Sequence, residues 1–222
     1  MSKILVVAPH PDDETLGCGG SLFKHKKLGD KIYWLIITGI TTENGWAKDK
    51  VKKRENEIIR VKDKYQFDNV FNLKLPSTKI DTLPISQIVK EITNVYKDVK
   101  PNIIYSPFIN DIHTDHQIIA KALQSTFKWF RYPHITKVLM YETTSETEFN
   151  FSNIEKFSPN VFNDISEYLD EKIKTMKIYE GEIEEHPFPR SEKTIRSLSA
   201  FRGSQSGYIA AEAFQLVYER NK

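Results

Sequence analysis

Two short stretches hold most of the side chains that could do metal or acid–base chemistry. The first is Pro9-His10-Pro11-Asp12-Asp13-Glu14, one imidazole and three carboxylates within five residues. Charges packed this closely repel one another and resist burial unless a cation neutralises them, so a divalent metal is the economical partner. His10 and Asp13 stand three apart, and a helical turn beginning there would aim both the same way while leaving Asp12 free. The second stretch is Asn110-Asp111-Ile112-His113-Thr114-Asp115-His116. His116 added to His10 and Asp13 gives two nitrogens and one oxygen. Three protein ligands leave coordination open for water and substrate, as hydrolytic zinc sites do. A lone histidine near a helix start is more often a cap or a satisfied polar group, and Asp111 or Thr114 could cap the helix expected near Gln117. What favours the metal is the coincidence of two acid–imidazole clusters in a chain with six histidines. His25 and His134 lack such company and read as surface or packing residues.

Both clusters fall directly after predicted strands. Residues 4–8 and 32–38 are continuous apolar runs of the kind buried on both faces of a sheet, and 70–75, 103–107 and 138–142 are weaker versions. Between them Ile85, Ile88, Val89, Ile92, Val95, Tyr96 and Val99 keep helical spacing, as do Ile58, Val61 and Tyr65 more loosely. Alternating strands and helices imply an α/β fold, a mostly parallel sheet with helices on both faces. Such a sheet binds ligands at the carboxyl ends of its strands, where the strand order reverses, and there two segments far apart in sequence can meet. After Thr143 the alternation stops. Helical patterns near Ile165, Leu169, Ile173 and Met176, and again over 210–218, predict a C-terminal helical or irregular flank. Gly17-Cys18-Gly19-Gly20 does not match a dinucleotide loop and reads as close helix packing.

The chain has 222 residues, 32 Lys+Arg against 30 Asp+Glu, and one cysteine, Cys18. That length suits a single domain over 1–222 with a full core. One cysteine excludes a disulfide scaffold, and with no secretory apolar region before His10 a reducing, cytoplasmic home is expected. No run approaches the roughly 18 apolar residues of a transmembrane span. The near-balanced charge argues against an obligate nucleic-acid binder, so the partner is expected to be a small molecule. The basic runs at 24–27 and 48–54 read as solvated helix faces.

The two motifs, together with Arg54-Glu55-Asn56-Glu57, Tyr141-Glu142-Thr143 and the Phe201-Arg202-Gly203-Ser204-Gln205 to Ala211-Glu212-Ala213-Phe214 tail, resemble the PIG-L/LmbE-like family of metal-dependent N-acetyl sugar deacetylases. The resemblance runs along nearly the whole chain. It implies a Rossmann-like fold, Zn²⁺ held by His10, Asp13 and His116, and hydrolysis of an acetamide on an amino sugar or its conjugate. It makes Asp12 the general base, a protonated His113 the imidazole near the developing oxyanion, and Asp115 the carboxylate beside it that orients a histidine. Arg54 falls at a substrate-contacting or site-organising position, and Glu14 takes a supporting role. Relatives are often homo-oligomers.

Two other readings stay open at the level of sequence. Two histidines and a carboxylate also describe the Fe(II) triad of non-haem oxygenases, so Fe²⁺ stands beside Zn²⁺ as a candidate metal. A non-catalytic sugar-binding module with a structural metal would need no free base. In the tail, Phe188, Pro189, Arg190, Arg196, Phe201, Arg202 and Tyr208 offer groups for a sugar ring and an anionic substituent, and they fit core packing and helix ends equally well.

Overall fold

The computed structural model describes residues 1–151 and 155–221. Five strands are parallel: β1 (Lys3–Ala8), β2 (Lys31–Gly39), β3 (Asn69–Pro76), β4 (Ile103–Pro107) and β5 (Lys137–Tyr141). They are linked by α1 (Asp13–Lys27), α2 (Lys48–Tyr65), α3 (Ile85–Val99) and α4 (Thr114–Gln124). Two further strands, β6 (Val161–Asp164) and β7 (Ala211–Glu219), complete a seven-stranded sheet of order β3-β2-β1-β4-β5-β7-β6. The order reverses between β1 and β4, so the loops after these strands flank the crevice where open α/β sheets bind ligands.

The apolar runs do what their composition dictates. Along β1, Ile4, Val6 and Ala8 enter one core with α1, α2 and the helices α5 (Leu169–Met176) and α6 (Glu192–Ser206), while Leu5 and Val7 enter a second core with α3 and α4. Alternate side chains point to opposite faces of a strand, so a continuous apolar run needs a helical layer on each side. In α3 most of the predicted stripe is buried, with Ile88, Ile92, Val95, Tyr96 and Val99 inside, while Val89 is half-buried and Ile85 at the helix start is exposed.

The C-terminal segment departs from expectation. Residues 210–218 are not helical: 211–219 form β7, which runs antiparallel between β5 and β6 inside the main sheet. The sequence AEAFQLVYE carries apolar residues at spacings that fit either period, and its alanines favour a helix in isolation. Pairing on both edges and burial of Phe214 against Tyr105, ring centroids 5.0 Å apart, decide for the strand. The α5 pattern is present as read, whereas α6 was not anticipated.

Helix α1 is broken at Cys18 (φ −145°, ψ 22°), and the break is capped from the tail. The freed N–H groups of Gly20 and Ser21 each donate to the Glu212 carboxylate of β7, both at 2.8 Å. Lys172 of α5 donates to Glu212 at 2.7 Å and to the Leu16 carbonyl at 2.8 Å, closing the cap from the other side. Removing one member of such a buried pair strands a charge, at a loss of about 3–5 kcal/mol. The glycines of α1 act by close approach: a Cβ at Gly17 would stand 2.2 Å from the Tyr141 ring. Tyr141 cannot give way easily, because its hydroxyl donates to the Val7 carbonyl at 2.8 Å.

Gly17→Ala is therefore expected to destabilise the fold by about 1–3 kcal/mol through overpacking. Denaturant unfolding measures this, and an unchanged midpoint would contradict the packing account.

Candidate metal centre

The β1 strand delivers its cluster through a bent start to α1. Asp12 occupies the N-cap position with φ 136° and ψ −29°, a strained conformation for a residue with a side chain. Glu14, fully buried, holds this bend: its carboxylate accepts from the Asp12 N–H at 3.1 Å, the Thr15 hydroxyl at 2.6 Å and the Tyr179 hydroxyl at 2.8 Å. Burial pushes its pKa up to about 7. The supporting role expected of Glu14 has this physical form. As a result the His10 and Asp13 side chains share one side, with the His10 N–H donating to Asp13 Oδ2 at 2.8 Å.

The second cluster follows β4 and meets the first. Helix α4 begins at Thr114, earlier than expected, so His116 already lies within its first turn. Its Nε2 stands 3.3 Å from Asp13 Oδ2, and His10 Nδ1 stands 3.4 Å from the same oxygen. Ligands about 2.0–2.2 Å from a tetrahedral zinc ion are separated by about 3.4 Å, so these two spacings suit a shared ion. His116 Nε2 is buried and makes no hydrogen bond, the orphaned atom that a metal would satisfy. Burial disfavours charge on all three groups, yet mutual attraction holds Asp13 far below the usual carboxylate range and raises His116 well above the usual imidazole value. In His10 the Asp115 and Asp13 carboxylates likewise outweigh burial and raise the imidazole to about 9.

Each imidazole is held from behind by a carboxylate. Asp111 Oδ2 meets His116 Nδ1 at 2.8 Å, and Asp115 Oδ2 meets His10 Nε2 at 3.1 Å. This fixes the tautomers so that the opposite nitrogens are free to coordinate. Asp111 is the site residue that sequence reasoning missed. It reads as a helix cap, but the cap is His113, whose Nδ1 accepts the Asp115 N–H at 3.1 Å. Asp111 is instead buried, with its second oxygen taking the Thr147 hydroxyl at 2.6 Å.

The expected pairing of Asp115 with a protonated His113 needs correcting. The Asp115 carboxylate turns to His10 and to the Thr78 and Ile80 N–H groups, at 2.8 Å and 3.4 Å. Only its backbone N–H hydrogen-bonds to His113. Burial and the neighbouring His10 and His116 bring His113 down to about 4, and because Nδ1 accepts the Asp115 N–H, the ring proton of the neutral imidazole belongs on Nε2. His10, His113 and Asp115 form a second group close enough to hold an ion. In that group His10 Nε2 and Asp115 Oδ2 already face each other and His113 Nδ1 takes the Asp115 N–H, whereas His116 Nε2 has no hydrogen bond, which favours the His10, Asp13 and His116 set.

A cleft of about 450 Å³ opens over these residues, lined also by Asp12, Arg54, Arg190 and Trp46. The Asp12 carboxylate makes no hydrogen bond among the described residues, and burial, with Asp13 and Glu182 nearby, raises its pKa well above the ordinary value. Arg54 donates to the Pro11 carbonyl at 3.1 Å and pairs with Glu182 and Glu57. Arg190 also holds Glu182, Nη2 to Oε2 at 3.0 Å. Of the remaining tail candidates, Arg196 pairs with Glu192 and Asp170, Arg202 pairs with Glu142, and Phe201 and Tyr208 are exposed. None of these four lines the cleft.

The sequence matches the PIG-L family, described as GlcNAc-PI de-N-acetylase, over residues 5–127. It is 24% identical over 233 residues, 98% of this chain and 84% of the relative, to the diacetylchitobiose deacetylase of Thermococcus kodakarensis. In structure it is similar to the N,N'-diacetylchitobiose deacetylase of Pyrococcus horikoshii, with a TM-score of 0.79 and 19% identity over 98% of this chain and 84% of that one. It is similar also to the 4-carboxy-2-hydroxymuconate hydratase of Pseudomonas putida KT2440, with a TM-score of 0.76 and 17% identity over 100% and 98%. These structural likenesses establish a shared fold, which by itself does not choose a reaction.

Asp111→Asn is expected to weaken divalent-metal affinity roughly 10- to 100-fold by loosening His116. Calorimetric titration with zinc checks this, and undiminished affinity would remove Asp111 from the centre.

Proposed function

The chain belongs to the PIG-L family, and from that premise we propose that it is a zinc-dependent hydrolase that removes the N-acetyl group from an amino sugar or amino-sugar conjugate, releasing acetate. The observation that carries this reading is one juxtaposition. An open His10, Asp13 and His116 ligand set lies beside the Asp12 carboxylate, which accepts no hydrogen bond among the described residues.

An amide carbonyl is a poor electrophile and water a poor nucleophile. A divalent cation on these three ligands would supply the polarisation of one and the acidification of the other, lowering the pKa of a bound water to about 7. Asp12 is the group suited to take the proton of the attacking water and to return it to the leaving nitrogen. His113 supports the carbonyl oxygen as a neutral donor through its Nε2–H; losing one such donor costs about 10²–10³ in rate. Asp115 orients His10 rather than charging His113. Arg54 acts first on the protein, bracing the Pro11 carbonyl just before Asp12, and as a cleft-lining residue it is also available to contact substrate.

The iron-oxygenase and structural-metal readings lose ground here. The α/β sheet with its free base suits hydrolysis, and a purely structural metal gives Asp12 nothing to do.

Asp12→Asn is expected to lower kcat by about 10²–10⁴ while metal content stays near that of the parent. His10→Ala and His116→Ala should lose metal and activity together. Acetate release from a panel of N-acetylated amino sugars, paired with metal analysis, tests both statements. Substantial deacetylation by Asp12→Asn would remove it as the base. Chelation should abolish activity and added zinc restore it; oxygen uptake dependent on a 2-oxo acid, with no acetate released, would overturn the hydrolase reading.

A further inference from the structure

The cleft has one broad apolar surface, and it is not on the catalytic floor. Trp46 is the single Trp, Tyr or Phe among the described lining residues. It stands on the loop between β2 and α2 and is 42% exposed, whereas Asp12 and Asp13 on the floor are 6% and 3% exposed. The loop fixes its place. Gly45 takes φ 87°, a conformation that favours glycine, and donates to the Thr42 carbonyl at 3.0 Å; the Trp46 N–H donates to the Thr41 carbonyl at 3.2 Å. Lys50, one helical turn further on, sets its ammonium 5.7 Å from the indole centroid, a cation–π contact that restrains the ring.

We propose that Trp46 is the platform for an outer sugar, the pyranose joined glycosidically to the one whose acetamide is hydrolysed. The inference rests on the deacetylase reading and concerns which substrates within it are preferred. Its first argument is depth. The acetamide must descend to the floor between the ends of β1 and β4, so the ring that carries it fills the cleft and the next unit meets the rim. The second argument is shape. A pyranose has an apolar C–H face bordered by hydroxyls, and an indole offers a flat apolar surface that such a face can cover while the hydroxyls stay at the edge. No other described residue of the cleft supplies a comparable surface. The enzyme then prefers an amino sugar already linked to a second ring over the free monosaccharide.

Kinetics with N-acetylglucosamine and N,N'-diacetylchitobiose test this. Trp46→Ala is expected to shift the ratio of their KM values roughly tenfold against the disaccharide, and Trp46→Phe to restore most of the preference. An unchanged ratio overturns the platform. Binding can be followed apart from turnover in the Asp12→Asn protein, because Trp34 is fully buried and Trp129 lies beyond α4. Diacetylchitobiose should change tryptophan fluorescence there, and adding Trp46→Phe should abolish the change. No change, or one that survives Trp46→Phe, overturns the platform. If the parent protein releases acetate from neither sugar, the deacetylase reading is what fails, and the fluorescence titration still decides the fate of the Trp46 site.

Discussion

Everything at the head of the sheet depends on keeping several carboxylates buried together without leaving any charge alone. Asp12, Asp13, Glu14, Asp111 and Asp115 are all nearly inaccessible. Isolated buried carboxylates are too costly to persist ionised, so each must find donors, a cation or a proton. Asp13 sits between two imidazoles, Asp111 and Asp115 each back one of them, Glu14 collects three donors, and Asp12 alone takes no hydrogen bond among the described residues, its opposite charges being those of Arg54, Arg190 and His10. The carboxylate without a hydrogen bond is the one proposed as the proton carrier, and this division of labour follows from the hydrogen bonds rather than from residue type.

The C-terminal third of the chain makes the division durable. Tyr179 reaches Glu14, Glu212 and Lys172 cap the break in α1, and Arg190 joins Arg54 in holding Glu182 against the cleft wall. Helix α1 therefore cannot tilt without breaking a buried ion pair, and Asp13 at its first position moves only with it. The strain at Asp12 is retained because neighbours on both sides over-determine it, as happens at sites where backbone energy is spent on orientation. The tail is thus a brace for the front of the sheet, and through Arg190 it also supplies part of the cleft.

Much of this was legible in the sequence because the chemistry is local. The three-residue spacing of His10 and Asp13, and the position of both clusters just after apolar runs, are enough to bring His10, Asp13 and His116 together on one sheet edge. The α3 stripe and the close-packing role of the α1 glycines were readable for the same reason. What escaped was non-local or ambiguous in period. Residues 210–218 carry a pattern that serves helix or strand, and only the two neighbouring strands resolve it. Asp111 resembles a cap until the His116 ring is placed against it. The partner of Asp115 could not be read at all, since the choice between His10 and His113 is made by Thr78 and Ile80, which arrive from the far end of β3.

The account stands on where a divalent ion binds. Diffraction measured on both sides of the zinc absorption edge, from crystals soaked in zinc, would locate it directly. The expected result is an anomalous peak bounded by His10 Nδ1, Asp13 Oδ2 and His116 Nε2. A peak seated instead on His10, His113 and Asp115, or no peak in the cleft, would contradict it.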